Sequence, residues 1–240
     1  MKRNTVPLFV GVALCLSPLS AFAGGAVTGG ATLPEQIVQE ATEVQQLAKQ
    51  AEEVEAQIAQ YQNMIVNTLD MPANMFAKIW NPLVGSISKL EGIYNQAQAL
   101  GYAGQNIGAQ LAQEYQGAGA SIKNLSQNYA NWNNSTNTVM QDTLQSFGLS
   151  AQDFTTEDQS MQTIQQEAAT AQGRAQVAGA AVAAANVTTK AIQQLAEITE
   201  NGERAQIAYE KQKKAQANAT GALVANGLFA SGTNTPNLLP

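Results

Sequence analysis

The sequence predicts an all-α fold, an elongated helical bundle in which two long antiparallel helices flank an inserted small helical lobe. Three observations carry this reading. Apolar residues recur at alternating steps of three and four along two extended stretches, the mark of a helix with one buried stripe. Alanine and glutamine dominate while aromatic residues make up only 6% of the chain, which suits long helices around a thin core. No proline stands between Pro82 and Pro236, so nothing in that span compels a helix to end.

The first 23 residues read as a secretory leader. Lys2 and Arg3 give a positive start, Leu8 to Leu16 a short apolar run, and Ala21-Phe22-Ala23 a small-x-small cleavage site. The run falls short of the ~20 apolar residues a membrane span needs. A lipoprotein anchor at Cys15 would require a small residue before the cysteine, and Leu14 is there instead. Residues 24–33 are expected as a flexible arm. Pro34 then suits a first helical turn, with Thr32 as a cap and Glu35 complementing the helix dipole.

The first long helix is expected over 34–69. Val44, Leu47, Ala51, Val54, Ile58, Tyr61, Ile65 and Thr68 form its heptad seam, and Asp70-Met71-Pro72 ends it. The lobe is expected over 70–150, as shorter helices on the faces Ile87–Leu100, Ile107–Tyr115, Ile122–Trp132 and Val139–Phe147. Breaks are predicted at Gly101–Gly104, Gly117–Gly119 and the polar run Asn131–Asn137. A second long helix is expected over 151–216, starting near Thr155 or Thr156 with Glu157 and Asp158 in its first turn. Its seam runs Met161, Ile164, Ala168, Ala171, Ala175, Ala178, Val182, Ala185, Thr189 and Ile192, then loosens towards Tyr209 and three lysines. Gly173, Gly179 and Gly202 are places where it could kink or break. Residues 217–240 are expected as a flexible tail, in which a short helix over Leu223–Phe229 precedes the final "ASGTNTPNLLP".

The composition also excludes chemistry. The one cysteine lies in the leader and there is no histidine, so the exported chain has no disulfide, no imidazole base and no thiol nucleophile. Phosphate loops, nucleophile elbows, zinc-protease helices and calcium loops are all missing, and neither cofactor nor metal is expected. Losing Lys2 and Arg3 with the leader takes the formal charge from −6 to −8, which argues against nucleic acid as a direct ligand. Glu52, Glu53 and Glu55 read as a solvated helix face, and the acids Asp153, Glu157 and Asp158 as helix-start residues. A non-enzymatic structural or interaction protein is the reading that remains.

The candidate sites are therefore packing surfaces. Val44, Leu47, Ala51, Val54 and Ile58 on the first helix, with Ala175, Ala178, Gly179, Val182 and Ala185 on the second, are candidates for helix packing or an oligomer interface. Within the second set, "VAGAAVAAA" (Val177 to Ala185) reads as the middle of a heptad stripe rather than part of a membrane span. The middle aromatics are expected chiefly as the core of the lobe. The sharper alternative is that Trp132, Asn133 and Asn134, beside "NNSTNT", form a contact patch at one tip.

One family fits these residues. The leader, then "GGATLPEQIVQEATEVQQLAKQAEEVEAQIAQYQNMIVNT", a helical lobe and a long Ala/Gln helix resemble the TrbJ family, exported minor pilus components of conjugative type IV secretion systems. "PEQIVQEAT" and "QYQNM" are the most specific parts, and the likeness covers the whole chain after the leader. The resemblance implies a periplasmic and pilus-associated subunit at the pilus tip or stalk, assisting pilus assembly and contact with the recipient cell surface. It further implies a ring-shaped homo-oligomer, a pentamer, touching the major pilin and a polytopic inner-membrane subunit. Two other readings share the leader and heptads: a periplasmic coiled-coil binding or chaperone-like protein, and a secreted membrane-active helical protein.

Overall fold

A computed structural model describes residues 32–67, 73–146 and 170–230. The described residues are almost entirely helical: α1 (Leu33–Val66), α2 (Ala73–Glu114), the single-turn α3 (Ala120–Lys123), α4 (Leu125–Ser146) and α5 (Ala171–Ala230). The fold is all-α, as the periodicity predicts. The leader, most of the expected arm, the start of the second long helix at Thr155 or Thr156, its seam residues Met161, Ile164 and Ala168, and residues 231–240 lie outside the described residues.

The start of α1 follows from its sequence. Thr32 is extended at φ −67° and ψ 155°, and its backbone N–H donates to Glu35 Oε2 at 2.8 Å, while Pro34 occupies a position whose missing donor costs nothing. From there Ile37, Val44, Leu47, Ala51, Val54, Ile58 and Ile65 are buried, one stripe along a 34-residue helix.

Helices α1 and α5 pack along each other in opposite directions. Gln45 Nε2 donates to Glu200 Oε1 at 3.2 Å, and one heptad further Gln193 Nε2 donates to Glu52 Oε1 at 3.0 Å. As numbers rise along α1 they fall along α5, so the hairpin closes within one chain. α1 also packs against α2, α4 packs between α2 and α5, and α2 touches α5. α4 runs against α5, because Tyr129 meets Thr199 and Trp132 meets Ala191. The result is an up-down-up-down bundle of four principal helices.

The middle of the chain differs from the expected lobe of short helices. α2 is 42 residues long, longer than α1, and passes unbroken through Gly101 and Gly104. The reason is register. Ala97, Gly101, Gly104, Gly108, Leu111 and Tyr115 recur at steps of three and four and are all buried. The glycines are the floor of a helix contact rather than breaks. A Cβ at Gly101 would stand 2.5 Å from Trp132 Cζ3, and one at Gly108 2.7 Å from the Ser126 backbone nitrogen. Without them α4 could not approach α2 so closely. The polar run Asn131–Asn137 is likewise helix, inside α4. The Gly117–Gly119 break does occur, as the turn between α2 and α3, with Gly117 at φ +90° in the region that glycine tolerates best.

α5 spans 60 residues, about 90 Å at 1.5 Å per residue. It passes through Gly173, Gly179 and Gly202 and carries on to Ala230, into the stretch expected as a tail. Its first two thirds are buried on two adjacent faces, whereas every residue from Lys211 to Val224 is exposed. That last part runs past the body of the bundle.

Candidate functional site

The five α1 seam residues proposed from the sequence all lie in the core of a single chain, with Val44, Ala51 and Ile58 fully enclosed. On α5, Ala178 and Ala185 are enclosed, while Ala175, Gly179 and Val182 are half-buried. Val177, Ala180, Ala181 and Ala184 are buried as well, so "VAGAAVAAA" packs its alanines on two sides into the bundle. Alanine permits this close approach and gives little to lipid. No helix among the described residues is long and apolar enough to cross a membrane.

The suggested tip patch divides. Asn134 is exposed, but Trp132 and Asn133 are 3% and 2% exposed and face the interior. Trp132 packs on Gly101 and its Nε1–H donates to the Ala191 carbonyl at 2.6 Å, tying α4 to α5. In this fold neither residue is presented to another surface, because the expected loop is a helix whose stripe Leu125, Tyr129, Trp132, Thr136 and Met140 points inward. The core reading of Trp132 is the one this packing matches.

The interior holds a chemical feature that the sequence reading passed over. Glu40 is 5% exposed, and neither carboxyl oxygen completes a hydrogen bond. It faces Gly104 of α2, where a Cβ would collide with Glu40 Oε1 and the Tyr129 ring. Tyr129 donates its hydroxyl to Thr199 Oγ1 at 2.9 Å, and Thr199 donates in turn to the Leu195 carbonyl at 2.9 Å. Burial pushes the Glu40 carboxyl up to about 7; contact with Tyr129 works against the rise, and the charge of Glu43 adds to it. The Tyr129 phenol is also raised, chiefly by burial and then by the Glu40 charge. The signal was present in the sequence. Extending the α1 seam back from Val44 by four and then three residues gives Glu40 and Ile37, an acid at a seam position.

Other polar groups border the core. Tyr94 donates to Asn137 Oδ1 at 2.6 Å, and burial lifts its phenol to about 12. Tyr115 stands edge-on to Tyr209 at 5.1 Å and donates to Glu210 Oε1 at 3.2 Å, holding the end of α2 to α5. A cavity of about 140 Å³ lies between α2, α4 and α5, lined mainly by Ile87, Leu90, Met140, Leu144, Ala181 and Ala184. Glu52 and Glu53 are exposed and Glu55 half-exposed, on the face expected for them. Among the described residues no group of three or more His, Cys, Asp or Glu side chains is placed to hold a metal ion.

Fold and interior together define a four-helix bundle protein whose last helix is carried well past the body. The particular likeness is to conjugal transfer proteins. The chain is 27% identical over 178 residues to the conjugal transfer protein TrbJ of Rhizobium radiobacter, covering 66% of this chain and 64% of that one. It is 28% identical over 146 residues to the probable conjugal transfer protein TrbJ of Sinorhizobium fredii (strain NBRC 101917 / NGR234), covering 58% of this chain and 52% of that one. The resemblance to the TrbJ family read from the sequence is therefore met by two proteins of that name, and it supports a role connected with conjugation. The matched regions span less than two thirds of either relative. No family model matches the chain, and no solved structure matches it.

Proposed function

We propose that this protein is a non-enzymatic minor component of a conjugative type IV secretion system, acting at the tip or stalk of the pilus. In this reading it is exported through its cleaved leader, works in the periplasm and on the cell surface, and assists pilus assembly and mating-pair contact. It assembles as a homo-oligomer, a pentamer, against the major pilin and a polytopic inner-membrane subunit. The observation that carries the proposal is the likeness to two TrbJ conjugal transfer proteins, over 66% and 58% of the chain. The physical character of the chain agrees with it. A bundle closed by alanine and glycine contacts is a stiff rod, and a projecting helix is a natural means of joining a larger assembly.

An in-frame deletion in a conjugative donor provides the test. Plasmid transfer and pilus production are expected to be lost and to return when the intact gene is supplied in trans. Normal mating by the clean deletion strain would overturn the proposal. Co-purification with pilus components, rather than with a broad set of unfolded outer-membrane proteins, separates this reading from a chaperone-like one.

A further inference from the structure

We propose that Glu40 is a proton-operated latch: its protonated carboxyl completes a hydrogen-bonded relay through Tyr129 and Thr199 that binds α1, α4 and α5 together, and loss of the proton loosens that junction. The argument starts from the direction of the bonds. Thr199 has one hydroxyl hydrogen and gives it to the Leu195 carbonyl, and Tyr129 has one and gives it to Thr199. The Tyr129 oxygen then has only acceptor capacity to offer the carboxyl beside it. An ionised Glu40 is itself only an acceptor and has no use for that lone pair. A protonated Glu40 supplies the donor that Tyr129 Oη lacks once the carboxyl, now beside the ring but without a bond, turns to it. The series Glu40, Tyr129, Thr199, Leu195 then runs donor to acceptor throughout.

Removal of the proton to bulk water leaves two arrangements, both costly. Tyr129 can turn its O–H to the carboxylate, which deprives Thr199 of its donor and breaks that one of the α4–α5 bonds. Otherwise the carboxylate stays buried without a partner, at a large desolvation cost. Among the described residues no cation faces Glu40 to compensate. On α1 the nearest ionisable neighbour is Glu43, another acid. α2 presents Gly104 here and carries no charged residue from Ala97 to Leu111, only the exposed phenol of Tyr102. α4 presents Tyr129. The charged side chains of α5 near this level, Glu200, Glu203 and Arg204, are at least partly exposed, and Arg204 is paired with Glu200 at 3.1 Å.

The sign of the pH dependence follows. The Glu40 carboxyl, at 4.5 in the unfolded chain, is pushed up by burial to about 7 in the bundle, so folding takes up a proton between those values. The stabilisation is fully present below 4.5, is lost as pH rises through about 7, and changes little beyond. Across the window the folding equilibrium should fall by up to roughly tenfold per pH unit.

Chemical denaturation of the full-length protein from pH 5 to 8, beside Glu40→Gln, tests the latch. The wild type is expected to lose stability over this range. Glu40→Gln, whose amide can donate to Tyr129 at every pH, is expected to lose that part of the dependence and to match or exceed the wild type at pH 8. An identical pH dependence in both proteins, or a flat profile in the wild type, overturns the proposal. Should Glu40→Gln fail to fold, carboxyl carbon NMR of glutamate-labelled wild type decides instead. One glutamate titrating near neutrality, and moved by Tyr129→Phe, supports the latch; all glutamates titrating in the ordinary range refutes it.

Discussion

Gly104 and Glu40 show how one missing side chain sets what a neighbour can be. The α2 glycines at 101, 104 and 108 leave room for Trp132, for Tyr129 with Glu40, and for the start of α4. Gly85 and Gly92 occupy the same helix with nothing within 4 Å of a would-be Cβ. Gly104→Ala is therefore expected to destabilise the protein by ~1–3 kcal/mol through overpacking. Gly85→Ala should instead stabilise by roughly 0.5–1 kcal/mol, because it relieves backbone entropy without a clash. Opposite signs for the two substitutions in urea unfolding are the outcome that checks this. Trp132 offers a second comparison. Trp132→Ala removes a buried ring and its bond to Ala191, for an expected loss of about 3–5 kcal/mol. Trp132→Phe keeps most of the packing and loses mainly the bond, about 0.5–1.5 kcal/mol. A tip residue with no place in the core would show neither cost.

The helices were legible in the sequence where buried positions are filled by large apolar residues, and illegible where they are filled by glycine or amides. α1 could be read because Val44, Leu47, Val54 and Ile58 mark its seam plainly. α2 reads as divided because Gly101 and Gly104 are weak helix formers, although with Gly108 their spacing continues the stripe from Ala97 to Tyr115. Tertiary contact outweighs propensity there. α4 reads as two shorter helices for a related reason, since Asn133 and Thr136 are polar yet buried, and the run around them looks like a break. The far end of α5 is the converse case: its helix continues without burial. Lys211 to Val224 are all exposed, so a chain ending at Ala215 should keep the stability of the bundle to within about 0.5 kcal/mol. Its helical signal per molecule should drop in circular dichroism. A large fall in melting temperature would mean that the overhang is bound back onto the bundle.

Assembly poses the remaining question, because the seam that could have joined two subunits is occupied within one chain. α1 and α5 close on each other within one chain, and Ala181 and Ala184 turn the second face of α5 inward, onto the cavity shared with α2 and α4. On α5 the surfaces left for a neighbour include half-buried positions such as Gly179 and Val182, and the overhang. The two kinds of site respond differently to the same change. Ala185→Leu forces extra volume into a closed core and is expected to cost ~1–3 kcal/mol, whatever the oligomeric state. Gly179→Leu, on the half-buried side, is expected to leave helix content nearly intact and, if the proposed homo-oligomer joins through this face, to reduce the mass seen in light scattering. If Gly179→Leu leaves the mass unchanged while truncation at Ala215 lowers it, subunits join through the projecting helix. If both variants keep full mass, neither of these two surfaces is the interface.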